Sequence, residues 1–167
     1  MREVERIADQ LKRAHEGGAW HGPSVNELLE GVTAEQAAAR PGEGAHSVWE
    51  LVSHIEAWER AILLRLGGES AEFYNTPEDW PRVTDASEES WRQTREKLAA
   101  TYAALRDATL ALDDARLDEP INDGRSSRYV SLHGAIQHTL YHAGQIAFVK
   151  RALGQRLPPV VPEVQPT

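Results

Sequence analysis

Apolar residues recur along this chain at intervals of three and four, the spacing that gathers them on one side of an α-helix, and nowhere in the strict alternation of a half-buried strand. Val4, Ile7 and Leu11 mark a first helix that ends at Gly17-Gly18. A short helical piece follows around Ser24 to Glu30, with Ser24 as its N-cap. The turn-forming PGEG at 41–44 precedes a second long helix, capped by Ser47, running to about Leu66 and stopped by Gly67-Gly68. Residues 69–86, with Asn75, Pro77, Pro81 and several acids, read as a long loop. The third helix runs from about Ser87 to Leu112, with Glu88 and Glu89 at its positive end. Residues 113–130 form a second long connection, and the fourth helix begins near Ser131 and reaches about Leu153, closed by Gly154. The tail LPPVVPEVQPT is proline-rich and is expected to be extended.

Four helices joined through two long connections predict an all-α four-helix bundle in which long crossovers replace some hairpin turns. Such bundles build metal sites from side chains of facing helices. That gives the segment QHTLYHAGQI, residues 137–146, its interest. On a wheel of about 100° per residue, Leu132, Ala135, Ile136, Ala143, Ile146, Val149 and Leu153 share one face. His142 lies inside that face and His138 at its edge. Residues four apart have Cβ atoms about 6 Å from one another, so both imidazoles can reach one ion. In the second long helix His54 shares a face with Leu51, Trp58 and Ile62. His15, His21 and His46 fall near helix ends or loops, and His133 points away from His138. Spacing alone leaves two readings: core histidines each satisfied by a hydrogen bond, or three ligands of a shared cation. A buried imidazole without a partner costs about 1–3 kcal/mol, and one cation would satisfy all three.

Composition narrows the chemistry. A chain of 167 residues, 41% of them hydrophobic, has room for one domain with a substantial core, so residues 1–167 are read as a single domain. The formal charge is -8, from 18 basic and 26 acidic residues without a basic cluster, which leaves nucleic acid and anionic membrane without an electrostatic handle. There is no Cys, so disulfides, thiolate nucleophiles and thiolate ligands are all excluded, and a metal would need nitrogen or oxygen ligands. The start MREVERIADQ is charged where a signal peptide needs an apolar run, and no stretch approaches the roughly 18 apolar residues of a membrane span. The expected compartment is the cytoplasm.

The segments AWHGPSVNELLEGVTAEQAAARP, HSVWELVSHIEAWERAI, EDWPRVTDASEESWRQT and LHGAIQHTLYHAGQIAFVKRAL resemble successive blocks of the DinB-like (damage-inducible) family, from about Trp20 to Leu153. The resemblance implies a four-helix bundle of unusual helix order carrying a divalent ion, zinc or nickel, on three histidines that match His54, His138 and His142. It also implies kinship with thiol-dependent enzymes, among them bacillithiol- and mycothiol-dependent transferases. Many relatives have an aromatic residue where this chain has His46.

Three neutral protein ligands leave a divalent ion its full charge and an open position for water or a thiol. The expectation is a metal-dependent thiol S-transferase acting on a small-molecule substrate, possible alternatives being a metal-dependent hydrolase or a non-enzymatic stress-related metal-binding protein. Glu50, one turn before His54, is a candidate base or imidazole partner, and Gln145, one turn from His142, a candidate orienting group. Trp58 is expected in the core, and Trp20, His21 and the Trp80 loop over the site. Tyr141 and Phe148, on the outer side of the fourth helix, are expected to support a homodimer.

Overall fold

Side-chain caps set where the helices begin. Ser24, Thr33 and Ser47 each accept from the backbone N–H three residues on, while Glu27, Gln36 and Glu50 reach back to the cap's own N–H. The computed structural model describes residues 1–122, 124 and 126–159, and its helices are α1 (Glu3–Glu16), α2 (Val25–Leu29), α3 (Ala34–Ala38), α4 (Val48–Leu66), α5 (Glu88–Ala111) and α6 (Arg128–Ala152). A 3-10 turn lies at Asp114–Arg116. The all-α bundle expected from the periodicity is what the chain forms.

Two boundaries differ from the sequence expectation. The short helix α3 was not anticipated, because five residues are too few to show a period. Helix α6 begins one turn earlier than Ser131: Ser127 is the N-cap, accepting from Val130 N–H at 3.2 Å, while the Ser131 hydroxyl pairs with Ser126 at 2.7 Å. The expected stops hold. Gly68 (φ +89°) and Gly154 (φ +69°) take the left-handed conformation that lets the backbone turn off α4 and α6, with Glu69 N–H on the Leu64 carbonyl and Gln155 N–H on that of Lys150. Of the tail expected to be extended, only residues 157–159 are described, and they lie outside any helix; 160–167 fall beyond the described residues.

Helices α1 and α4 each pack against both α5 and α6, so α1 faces α4 across one diagonal and α5 faces α6 across the other. Directions follow from contacts. Trp49 and Glu56 of α4 meet Thr94 and Thr101 of α5 in the same order, so these neighbours run parallel. Glu59 of α4 meets Thr139 of α6, while His54, earlier on α4, meets His138 and His142; α4 and α6 therefore run antiparallel. Parallel neighbours cannot be joined by a short turn, and residues 67–87 form the crossover that returns the chain along the bundle.

The core has two apolar clusters. One joins α2, α3, Val48 to Ile55, Trp91, Leu98 and Ala143 to Val149; the other joins Val4, Ile7, Leu11, Ile62, Tyr102, Leu105 and Leu132 to Ile136. Between them lies a polar layer. Glu56, 3% exposed, is held by Arg60, Lys97 and Thr101 at 3.1, 2.9 and 3.0 Å. Glu59, 1% exposed, accepts through Oε1 from Thr139 Oγ1 at 2.8 Å and faces His15 Nε2 at 2.6 Å. His15 lies in the last turn of α1, as its position suggests, and is buried and stacked on Tyr102.

Trp91 anchors the first cluster and donates its indole N–H to the Val32 carbonyl at 2.8 Å, tying α5 to the α2–α3 connection. Trp91→Ala is expected to cost about 3–5 kcal/mol. Trp20→Ala, at a fully exposed ring, should change stability by less than about 0.5 kcal/mol. Urea midpoints measured on both variants check the contrast.

Candidate metal centre

His138 and His142 stand one turn apart on the face of α6 that meets α4, and His54 projects from α4 toward them. His138 Nε2 lies 3.1 Å from His54 Nε2 and 3.1 Å from His142 Nε2. One nitrogen from each ring lies within 4.8 Å of the others, and these three residues could hold a metal ion. His54 and His142 are buried and His138 half-buried.

The ring orientations follow from what holds the opposite nitrogens. His54 Nδ1 donates to the Asp79 carbonyl at 2.6 Å, with the Asp79 carboxylate 3.3 Å away. His142 Nδ1 donates to the Gln145 side-chain oxygen at 2.8 Å. A neutral imidazole has one N–H, so the Nε2 atoms of His54 and His142 are bare lone pairs directed at His138. One proton on His138 Nε2 could serve both only as a divided hydrogen bond. A cation would accept all three lone pairs, and tetrahedral zinc with nitrogen ligands at about 2.0–2.1 Å would separate them by about 3.3 Å, close to the spacing observed. The donor set fits a divalent ion that accepts imidazole nitrogen, zinc or nickel alike.

Electrostatics keep the rings neutral. Burial pushes His138 down to about 3, and the neighbouring His142 and His54 add to it. Burial also lowers His54 against the opposing pull of Asp79, and lowers His142 against the bond to Gln145. Neutral imidazole is the form that coordinates.

An aromatic wall stands beside the cluster. Trp80 stacks on His54 with centroids 3.8 Å apart and planes 7° apart, and His46 stacks on the other side of Trp80 at 3.7 Å and 8°. His46 thus presents a flat ring to the face of Trp80 away from His54. Asp79 ties the wall together, its carboxylate accepting from Trp58 Nε1 at 2.8 Å and from Asn75 N–H at 3.1 Å. Asp79 and its carbonyl were missed in the sequence, since a loop acid offers no period to place it. Of the neighbouring groups singled out in the sequence, Gln145 accepts from His142 Nδ1 and Trp80 stacks on His54. Trp58 is half-buried at the site and not sealed in the core, because its indole N–H needs the Asp79 oxygen. Trp20 and His21 stand exposed in the α1–α2 connection. Glu50 is drawn the other way, into the Ser47 cap and an ion pair with Arg40, with His46 Nδ1 at 3.9 Å; the group on His54 Nδ1 is Asp79. His133 packs on Tyr129, apart from the cluster.

Fold and site together define a class: a four-helix bundle with parallel neighbours and three imidazoles converging between two of its helices. The chain belongs to the DinB superfamily, whose family model matches residues 8–146. Among solved structures, the crystal structure of a "conserved protein of locus" from Enterococcus faecalis superposes with a TM-score of 0.72 at 21% identity, covering 93% of this chain and 99% of that one. At that identity the likeness concerns the fold. Among curated proteins none matches.

Two outcomes follow. In the metal-free protein the three rings have lowered pKa values when folded and return to about 6.5 when unfolded, so below about pH 6.5 the unfolded chain binds more protons. Stability should therefore fall as pH drops from about 6.5 toward 4, and urea titrations of metal-free His138→Gln should show a shallower fall than wild type; equal slopes would refute the assignment. Purified protein given zinc or nickel should take up about one ion per chain by elemental analysis, and His142→Ala should lose it.

Proposed function

We propose that the chain is a cytoplasmic metal-dependent enzyme of the thiol S-transferase type, with a divalent ion, zinc or nickel, held by His54, His138 and His142. The observation that carries this reading is the ligand set itself: three neutral nitrogens, two fixed in tautomer by Asp79 and Gln145, with no carboxylate among them. A closed structural site would need a fourth protein ligand. When bound, the ion supplies positive charge that lets a thiol or water in the remaining position lose its proton near neutral pH. The chain's own groups do the rest: Asp79 and Gln145 hold the rings, and the Trp80–His46 stack shields one side from water.

An open cleft beside His138 gives a substrate access to the same place. Having no Cys, the protein must take its thiol from solution, and the cytoplasm keeps small thiols reduced. In the reaction the thiolate sulfur bonds an electrophilic carbon, the leaving group departs with the electron pair, and the thiol proton passes to water. Association of a second copy through the exposed Tyr141 and Phe148 belongs to the same proposal.

The test uses metal-loaded protein and monochlorobimane, whose chloride is displaced by thiolate. Turnover should require an added small thiol and should disappear in His54→Ala. Cleavage of an ester without thiol would replace the transferase with a hydrolase, and a protein that takes up the ion but acts on neither substrate would be a metal-binding protein alone.

A further inference from the structure

A cleft of about 290 Å³ runs between α4 and α6 from His138 toward the start of α6. Its walls are Trp58 and Ile62 from α4 and Val130, Gly134 and Ala135 from α6, with Glu59 beside them. We propose that this cleft seats the non-reacting part of the substrate, a largely apolar small molecule whose hydroxyl, amide N–H or ammonium donates to Glu59. The assignment rests on the metal reading only for which end reacts, since binding of the apolar body needs no ion.

Three observations converge. Size comes first: an apolar cavity of about 150 Å³ takes benzene, so this cleft takes a ring with a substituent. Polarity comes second. Glu59 is 1% exposed, and while its Oε1 serves His15 and Thr139, its Oε2 has no hydrogen-bond partner among the described residues. The Ser126 and Ser131 hydroxyls on the wall are paired with each other, and the Arg65 Nε donates to the Ala71 carbonyl at 2.9 Å. The unmet demand in the cleft is thus for a donor. Third, a Cβ built on Gly134 meets nothing within 4 Å, so the helix face there opens onto free space where any other residue would intrude.

Gly134 makes the test clean. It sits inside α6 with ordinary helical geometry, so Gly134→Leu should not weaken the helix, yet its side chain would enter the cleft. Glu59→Gln is the companion. Its carbonyl oxygen must stay on His15 and Thr139, which turns an N–H₂ toward the place of Oε2 and removes the acceptor.

The probes are benzyl alcohol, benzylamine and toluene, and the readout is the indole N–H resonance of Trp58, assigned with Trp58→Phe and followed in metal-free and metal-loaded wild type. The alcohol and the amine are expected to bind about tenfold more tightly than toluene. Glu59→Gln should erase that preference, and Gly134→Leu should abolish binding of all three while keeping wild-type helicity and metal content. Equal affinity for toluene and benzyl alcohol in wild type, or undiminished binding in Gly134→Leu, overturns the proposal. The predicted pattern in a protein that takes up no ion supports the cleft and overturns only the metal reading; normal metal uptake with no probe binding does the reverse.

Discussion

Two neighbouring helices that point the same way cannot be joined by a tight turn, and this constraint organises the molecule. Because α4 and α5 run parallel, the chain leaving α4 at Gly67-Gly68 has to travel back past the helix it has just completed before α5 can start at Glu88. The returning segment passes His54, and that passage puts the Asp79 carbonyl on Nδ1 and the Trp80 ring over the imidazole. An up-and-down bundle with short loops would leave His54 without either contact. The crossover is therefore both a topological necessity and the source of the groups that orient His54.

Much of this was legible in the sequence. The long helices, the caps at Ser24 and Ser47, and the inward placement of His54, His138 and His142 follow from period and capping chemistry, which are local properties. What was not legible depends on pairings between distant segments. Asp79 belongs to a loop whose path is set by the helix order, and nothing within residues 69–86 states which acid will face a histidine. His15 is the helix-end residue its position suggests, but its burial was hidden because Glu59, 44 positions away, is its partner only across the bundle's diagonal. Glu50 erred for the opposite reason: its local partner Ser47, three residues back, captured a carboxylate that wheel geometry had aimed at His54.

The three-histidine cluster lies at the seam between two apolar clusters, in the layer that also holds Glu56, Glu59, Thr101 and Thr139. Polar groups buried in a bundle lower its stability unless each finds a partner, and this layer finds most of them: Glu56 has three, and Glu59 Oε1 has two. The exceptions are grouped. The bare lone pairs of the cluster and the Glu59 oxygen that is unpartnered among the described residues lie along the α4–α6 contact, His54 and Glu59 five positions apart on α4, and the two His-orienting groups sit outside them.

That distribution is itself informative. A layer retained only for packing specificity would have its donors and acceptors closed on one another, and residues such as Thr101 on Glu56 show that the chain can achieve this. Within this layer the unpartnered acceptors of the described residues fall at one helix contact, backed by side chains that hold them in place, and that grouping suits a site able to take something from outside the protein. A cation answers the imidazole lone pairs, and a donor answers Glu59; the same acceptors would be costly in a bundle that bound neither. His138 and Glu59 line the same cleft between α4 and α6, so an ion held by the imidazoles and the Glu59 carboxylate would both face one ligand seated there.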